Sequence, residues 1–290
     1  MNDGKGNFTD ESLTSGTSVD EFGNAQGSMG LTVGDVNGDG LMDIFITNFV
    51  DQTKTVYINQ GSNLFQDKTT ISGIGMLAFR YSGWGTKFFD FDNDGWLDLF
   101  FTNGHTMEQL EKAFPLDPFA EPSYLCRNEK EKGLMNVSEA VGLRKISNKV
   151  GRGTAFGDYD NDGDIDILVI NKNDTPYLLR NDGGNSNNWI NLRTEGVKSN
   201  RCGFGAKIIV TAGGFARHYE VRASDSYLSS NDFRINAGVG DLNEAAIEIR
   251  WPGGRVDKQS GVKANQFYLA HEGEPLRLDP RLQSGKALKK

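Results

Sequence analysis

The chain has 290 residues, with 37% hydrophobic and 24% charged residues and a formal net charge of −8. This length suits one large domain or two ordinary ones, and the globular composition excludes a disordered chain. The acidic balance argues against a nucleic-acid partner, and no apolar run approaches the roughly 18 residues that a membrane span needs.

Glycine is the unusual component, at 36 residues or about 12% of the chain against roughly 7% in average proteins. Because proline is low at 7, this composition predicts many tight turns. The N-terminal sequence MNDGKGNFTDES has no charged segment followed by an apolar one, as a signal peptide would. We therefore expect either that the protein stays inside the cell or that this chain lacks its natural start.

Three short elements recur in the same order as far as residue 181. One element is an apolar residue followed at alternate positions by Asp or Asn and then Ser or Thr: Phe8-x-Asp10-x-Ser12, Phe65-x-Asp67-x-Thr69 and Leu134-x-Asn136-x-Ser138. A nine-residue acidic loop followed by an apolar stretch occurs at Asp35–Asp43, Asp90–Asp98 and Asp158–Asp166. A triplet ending in Asn occurs at Tyr57–Asn59, Cys126–Asn128 and Leu179–Asn181. Such recurrence indicates a repeat architecture.

The repeat predicts an all-β first domain over residues 1–181, built as a partial β-propeller. Its period of roughly 60 residues, with short β-prone runs between glycine turns, is typical of blades with about four strands. The sequence encodes about three blades, whereas propellers close with about four to eight, so we expect an incomplete propeller. We expect the chain to be the C-terminal part of a longer propeller or a truncated gene product, and closure by a second chain is a further alternative. A β-sandwich with coincidental loops is the alternative fold.

The repeat stops after Asn181, where the polar, glycine-rich junction 182–188 begins. Alternating apolar runs separated by turn signals follow, which predict a second, small all-β sandwich-like domain over residues 182–276. Residues 277–290 are polar and basic, and we expect a loose tail. An insertion around residues 105–121 lengthens the second repeat, and its start is predicted to form a short helix.

The acidic loops place oxygen ligands at alternate positions. The predicted ligands, counted from the first Asp, are the side chains at positions 1, 3, 5 and 9 and the backbone carbonyl at position 7. They are Asp35, Asn37, Asp39, Leu41 and Asp43; Asp90, Asp92, Asp94, Trp96 and Asp98; and Asp158, Asp160, Asp162, Asp164 and Asp166. Clustered carboxylates repel one another, and an all-oxygen set suits Ca²⁺ better than Zn²⁺, copper or Mg²⁺. We therefore predict about three structural calcium sites.

An EF-hand is the obvious competitor, because its first six positions look alike. An EF-hand needs a Glu at position 12 and flanking helices, but position 12 here is Ile46, Phe101 and Val169 and the flanks are strand-like. A metal-free turn rich in Asp and Asn is the other alternative. The first loop has three carboxylates and the others four among the predicted side-chain ligands, so we expect the first calcium site to be the weakest.

These motifs resemble known families. The loops, with Gly83–Asp90, Thr102–His105 and Val150–Asp158, are similar to the FG-GAP/VCBS repeats of integrin-type β-propellers. The C-terminal part, with Lys198–Arg201, Thr211–Gly214, Tyr227–Ser230 and Arg250–Gly253, is similar to the ASPIC/UnbV domain. The combination resembles the cartilage acidic protein family. This resemblance implies calcium binding, an extracellular, periplasmic or cell-surface location and no established catalytic residues; Cys202 and the Leu134-x-Asn136 element depart from the pattern.

Two functions remain open at this point. One is a non-catalytic calcium-binding module whose partner is an extracellular protein or glycan. The other is a polysaccharide lyase or hydrolase on the same scaffold, which would need His105 and basic residues gathered in a deep pocket beside an acidic group. No local spacing nominates a catalytic residue, and Trp84 and Trp96 are the aromatic candidates for ligand stacking. Two cysteines, Cys126 and Cys202, are too few for a disulfide scaffold, and their pairing is left open.

Overall fold

A computed structural model describes residues 1–109, 111, 118–146 and 148–282. The predicted helix at the start of the insertion 105–121 lies partly outside these residues. One short helix, α1 (Ser12–Ser15), and three 3-10 turns at Lys130–Lys132, Leu143–Lys145 and Gly184–Ser186 occur in the described part of the chain. The rest of its regular structure is β-strand, so the all-β prediction is confirmed.

Thirteen strands precede residue 182 in the described ranges, and they follow the repeat. The first repeat forms β1 (Leu31–Gly34), β2 (Asp43–Ile46), β3 (Thr55–Asn59) and β4 (Phe65–Asp67). The second forms β5 (Gly83–Phe89), β6 (Asp98–Asn103), β7 (Glu121–Pro122), β8 (Tyr124–Asn128) and β9 (Leu134–Asn136). The third forms β10 (Asn148–Lys149), β11 (Gly151–Gly157), β12 (Asp166–Asn171) and β13 (Tyr177–Leu179).

These strands form three antiparallel sheets. The first has the order β1-β2-β3-β4, the second β5-β6-β8-β9 and the third β11-β12-β13, while β7 and β10 form a separate two-stranded ribbon. Phe45, at the centre of the first sheet, packs on Leu99 and Phe101 of the second. Phe100, on the opposite face of the second sheet, packs on Val169 of the third. Alternate residues of β6 therefore face opposite neighbours, as the two-residue period of a strand requires.

Eight further strands follow the junction in the described residues. They are β14 (Asn188–Glu195), β15 (Lys207–Ala212), β16 (Phe215–Glu220), β17 (Ile235–Gly240), β18 (Glu244–Arg250), β19 (Val256–Lys263), β20 (Gln266–His271) and β21 (Arg277–Leu278). They form two sheets, β17-β14-β20-β21 and β16-β15-β18-β19, in which β14 and β20 run parallel. Ile190, Leu192, Ile208 and Ile249 belong to one apolar core that both sheets share.

The predicted number of blades is wrong. The described chain has five sheets of three or four strands in a β-propeller arrangement, not about three. The acidic loop marks only the first three sheets, because the two sheets after residue 182 have no such loop and lie outside the repeat on which the count was based.

The loose tail predicted from residue 277 does not begin there. Arg277 and Leu278 pair with β20, and the next residue, Asp279, is fully buried. Its carboxylate accepts hydrogen bonds from Nε and Nη2 of Arg193, at 2.5 and 3.0 Å. Residues 283–290 lie outside the described residues.

Candidate metal centre

Each acidic loop joins the first two strands of a sheet, and strands flank it on both sides. Asp35–Asp43 connects β1 to β2, Asp90–Asp98 connects β5 to β6, and Asp158–Asp166 connects β11 to β12. Strands on both sides agree with the rejection of an EF-hand, which needs helices there.

Backbone amides fix the carboxylate at position 9 in the same way in all three loops. One oxygen of Asp43, Asp98 and Asp166 accepts the N–H of the residue at position 2, at 3.0, 3.0 and 3.1 Å. The other oxygen accepts the N–H of the Asn that ends the triplet after the loop, at 2.9, 2.7 and 2.9 Å; these residues are Asn59, Asn128 and Asn181. The triplet is therefore part of the site, a role that its sequence alone did not indicate.

The glycine at position 6 fixes the carboxylate at position 1. The N–H groups of Gly40, Gly95 and Gly163 donate to the Oδ2 atoms of Asp35, Asp90 and Asp158, at 3.0, 2.8 and 3.1 Å. All three glycines have a positive φ, of 88°, 88° and 102°. Side chains with a Cβ rarely adopt this conformation, so glycine is what allows the loop to turn back on its first residue.

Two loops bring three carboxylates together. Asp90, Asp92 and Asp98 each offer an oxygen within 4.8 Å of the others, as do Asp158, Asp160 and Asp166. In each trio the position-3 residue, Asp92 or Asp160, has a buried Oδ1 atom without a hydrogen-bond partner. Because an unpartnered buried oxygen is costly, these atoms suit a cation as their missing partner.

The first loop differs because its position 3 is an amide. Asn37 is turned toward Asp39: its Oδ1 accepts the N–H of Asp39 at 3.1 Å, and its Nδ2 donates to the carboxylate of Asp39 at 2.9 Å. Asp35 has a buried, unpartnered Oδ1, as the trios do. This loop can therefore contribute fewer charges to a cation than the other two.

The carboxylates at position 5 accept hydrogen bonds from within their own loops. Asp39, Asp94 and Asp162 accept the N–H at position 7, at 2.8, 2.8 and 3.3 Å, and neither carboxylate trio includes one of them. The carbonyls of Leu41, Trp96 and Asp164 remain predicted ligands. The buried side chain of Asp164 has an unpartnered Oδ1 as well, so this side chain is a candidate ligand besides the predicted carbonyl. The signal for it was the fifth Asp, which only the third loop has.

Burial makes the negative charge in these loops unfavourable. Loss of solvation is the largest cause, and it raises the pKa of Asp43 to about 7, of Asp158 and Asp166 to about 6, and of Asp164 to about 8. Burial and the neighbouring aspartates raise the pKa values of Asp90 and Asp98 well above the usual range. A positive ion among the carboxylates would offset both causes.

The C-terminal sheets cover the loops. Nη2 of Arg234 donates to the carbonyl of Asp158 at 2.7 Å, and Nε of Arg217 donates to the carbonyl of Gly95. A Cβ atom on Gly163 would lie 1.9 Å from the Trp189 ring, so the loop and this ring are in direct contact. These contacts join residues that are distant in sequence, and no local motif predicted them.

The pocket that the enzyme alternative requires is not formed by His105. This residue is only 3% exposed, and its Nδ1 accepts the N–H of Met107 at 3.0 Å. Glu121 and Lys54, an acidic and a basic group that interact electrostatically, are also buried. These groups therefore lack the access to solvent that a polysaccharide substrate would need.

The faces of Trp84 and Trp96 are occupied by cations of the same chain. The guanidinium of Arg152 lies 4.2 Å from the centre of the Trp84 ring, and that of Arg217 lies 4.1 Å from the centre of the Trp96 ring. Ligand stacking on these faces would require the arginines to move. Cys126 and Cys202 are both free thiols, so they do not pair.

Comparisons with known proteins bear out the resemblance in the motifs. The model of the FG-GAP-like repeat matches residues 35–101, and the model named ASPIC and UnbV matches residues 196–276. Cartilage acidic protein 1 of Xenopus tropicalis is 25% identical over 275 residues, which are 90% of this chain and 38% of that protein. The same protein of Mus musculus is 25% identical over 277 residues, 89% of this chain and 38% of that protein. The chain thus spans well under half the length of these relatives.

In the part of the chain that the structure describes, no helix combines the length and the apolar character that crossing a bilayer requires.

Proposed function

We propose that the acidic loops bind calcium and that the chain is a non-catalytic binding module. The observation that carries the proposal is the pair of trios, Asp90–Asp92–Asp98 and Asp158–Asp160–Asp166, whose oxygens lie within 4.8 Å of one another. In each trio a buried oxygen has no partner. Three loops of one type imply about three ions, with the first site the weakest.

The donor set favours calcium over other metals. All side-chain donors are carboxylate or amide oxygens, and no His or Cys lies within the three loops, which disfavours zinc and copper. Magnesium demands near-ideal octahedral geometry and keeps its water molecules, whereas calcium accepts six to eight oxygens in flexible arrangements. A loop of mixed carboxylates and carbonyls suits the latter.

The proposed role of the ions is structural. Each loop lies between two strands of a sheet and touches the C-terminal sheets, as Arg234 does at Asp158 and Trp189 at Gly163. An ion that holds the carboxylates together would therefore stabilise both the sheet and its contact with the C-terminal part. The loops contain no group that we would assign to catalysis.

We further propose an extracellular, periplasmic or cell-surface location, with a protein or glycan as partner. Sites of the extracellular type fill at about 10⁻⁴–10⁻³ M calcium, which only compartments outside the cytosol supply. The relatives named cartilage acidic protein 1 fit a non-enzymatic module of this kind. A binding screen against glycans and matrix proteins would test this class of partner. Absence of binding to both would argue against the proposed partner.

Calcium titration by calorimetry on chelator-treated protein tests the metal site. We expect heat from about three sites in the unmodified chain and the loss of one site each in Asp90→Ala and Asp158→Ala. Asp241→Ala, which removes an exposed aspartate outside the loops, is the matched control and should bind like the unmodified chain. Absence of calcium binding at millimolar concentration, or equal binding in all four proteins, would contradict the proposal.

A further inference from the structure

The asparagines that end the second and third triplets, Asn128 and Asn181, each contact two acidic loops. Through its main-chain N–H, each holds the position-9 carboxylate of its own loop, Asp98 at 2.7 Å and Asp166 at 2.9 Å. Through its side-chain N–H, each donates to a carbonyl of the preceding loop. A single residue therefore contacts the loops of two neighbouring sheets.

Asn181 links the third loop to the second. Its Nδ2 donates to the carbonyl of Phe91, at position 2 of the second loop, at 2.7 Å. The N–H of Phe91 in turn donates to Oδ2 of Asp98 at 3.0 Å. A continuous series of hydrogen bonds thus leads from Asp166 in one carboxylate trio to Asp98 in the other.

Asn128 links the second loop to the first in the same way. Its Nδ2 donates to the carbonyl of Val36 at 2.8 Å, and the N–H of Val36 donates to Oδ2 of Asp43 at 3.0 Å. Asn128 is buried, so water competes little for these bonds. Asp98 belongs to both series, and the position-9 carboxylates of all three loops are therefore joined in one row.

A second side chain joins the second loop to the third. Asn93, at position 4 of the second loop, is fully buried, and its Nδ2 donates to the carbonyl of Gly163 at 3.0 Å. Gly163 is the position-6 glycine whose N–H holds Asp158 at 3.1 Å. The equivalent position of the first loop is Gly38, which has no side chain to form such a bond. The second and third loops thus have a link that the first and second lack.

An ion in one loop would order the neighbouring loop through these bonds. The ion fixes the position-9 carboxylate that it binds, and this carboxylate fixes the main chain of the triplet asparagine. The asparagine side chain then holds the preceding loop, which loses less conformational freedom when it binds its own ion. Repulsion between neighbouring ions opposes this effect, but each trio has three negative charges against the two positive charges of a calcium ion. A filled trio is therefore not positively charged.

We propose that the acidic loops bind calcium cooperatively, so that an ion in one loop raises the affinity of its neighbour, and that Asn128 and Asn181 couple the loops. This cooperativity rests on the calcium sites proposed above and makes them fill together. Coupling of two sites is reciprocal and typically changes affinity about 5–150-fold. It is stronger between the second and third loops, which Asn93 also joins, than between the first and second.

Hydrogen exchange followed by mass spectrometry at increasing calcium concentrations tests the coupling, because it measures the protection of each loop separately. Asp160→Ala weakens the third site by removing a carboxylate whose Oδ1 has no hydrogen-bond partner. The calcium concentration that half-protects the second loop should then rise about fivefold or more. Asp92→Ala, the matching change in the second loop, should raise the corresponding concentration for the third loop by the same factor, since coupling is reciprocal.

Asparagine variants test which residues couple the loops. In an Asn181→Ala background, Asp160→Ala should shift the half-protecting concentration of the second loop by a smaller factor than in the unmodified chain. Asn59→Ala is the matched control, because its side-chain N–H donates to Met42 in its own loop at 3.0 Å. This control should leave the factor unchanged.

Asn128→Ala provides an independent version of the test if Asn181→Ala does not fold. Asp92→Ala should raise the half-protecting calcium concentration of the first loop, and it should do so by a smaller factor in the Asn128→Ala background. Asn59 lies in the first repeat, so the control here is Asn181→Ala or, if that variant is unfolded, the unmodified chain.

Three results would overturn the proposal. A half-protecting concentration of the second loop that is the same with and without Asp160→Ala would exclude coupling while leaving the calcium sites intact. Equal factors in the Asn181→Ala and Asn59→Ala backgrounds would exclude Asn181 as the coupling residue. Absence of any protection by calcium in the unmodified chain would contradict the calcium sites themselves, and with them the coupling.

Discussion

The sheets before residue 182 and the sheets after it differ in their apolar cores and in their loops. The first three sheets are separated by two apolar cores, and every loop between their first two strands carries buried carboxylates. The two later sheets share a single core of 15 buried residues and have no acidic loop. If the loops bind calcium as proposed, the difference teaches that a row of small sheets can depend on ions at its loops, whereas a pair of sheets around one core depends on apolar burial.

Asp279→Ala should cause the largest loss of stability, and the loss should not depend on calcium. It removes one partner of a buried ion pair and two of the three hydrogen bonds of the Arg193 guanidinium, so that only the bond to Glu195 remains. Breaking such a pair typically costs about 3–5 kcal/mol. Chemical denaturation should give the same loss in the free energy of unfolding, relative to the unmodified chain, with calcium and with chelator. A loss that depends on calcium would contradict the view that the two regions are stabilised independently.

Gly163→Ala should affect the contact between the regions. The new methyl group would meet the Trp189 ring, and the backbone at φ 102° is unfavourable for alanine. Overpacking of this kind costs about 1–3 kcal/mol. We expect lower stability together with weaker calcium binding at the third loop. Gly183→Ala, at a nearby glycine with nothing within 4 Å of its Cβ position, is the control and should change neither quantity.

Asp92→Asn and Asp39→Asn should distinguish the loop positions. Asp92 contributes an unpartnered oxygen to a carboxylate trio, whereas Asp39 is already bonded to Asn37 and Leu41. We expect Asp92→Asn to weaken calcium binding at its loop about tenfold, or about 1.4 kcal/mol, and Asp39→Asn to have a smaller effect. Equal losses of calcium affinity in the two variants would mean that position 5 contributes as much to calcium binding as position 3.

The effect of pH on the metal-free protein should be the smallest. In chelator, the pKa values of Asp43, Asp158 and Asp166 are raised to about 7, 6 and 6, above the unfolded value near 4. A carboxyl group whose pKa is higher in the folded state contributes its full stability at pH values below its unfolded-state pKa. This stability is lost as the pH rises through the folded-state pKa. The melting temperature without calcium should therefore be higher at pH 5 than at pH 8. With saturating calcium the order should reverse, because protons compete with the ion.

Local features of the molecule could be predicted from the sequence. Each acidic loop is nine consecutive residues, and its alternate carboxylates and the glycine at position 6 are visible without any tertiary structure. The bond from Asn128 to Asp98 was not predictable, although the triplet was recognised, because it depends on the position of the third strand beside the loop. The number of sheets was missed for a related reason, since β14 and β20 pair in parallel across more than 70 residues without a repeated motif.

The contact between the two regions left no sequence signal. Arg217 and Arg234 belong to none of the sequence motifs, yet they donate to carbonyls in the second and third loops. Only the folded arrangement of both regions brings these residues to the acidic loops.

Hydrogen exchange followed by mass spectrometry, with calcium and with chelator, tests most directly whether ions stabilise the first region and apolar burial the second. Removal of calcium should speed exchange at least about tenfold in the three loops and in β2, β6 and β12, while β15 and β18 in the shared core exchange at an unchanged rate. Exchange that is equally slow in the loops with and without calcium would contradict the account.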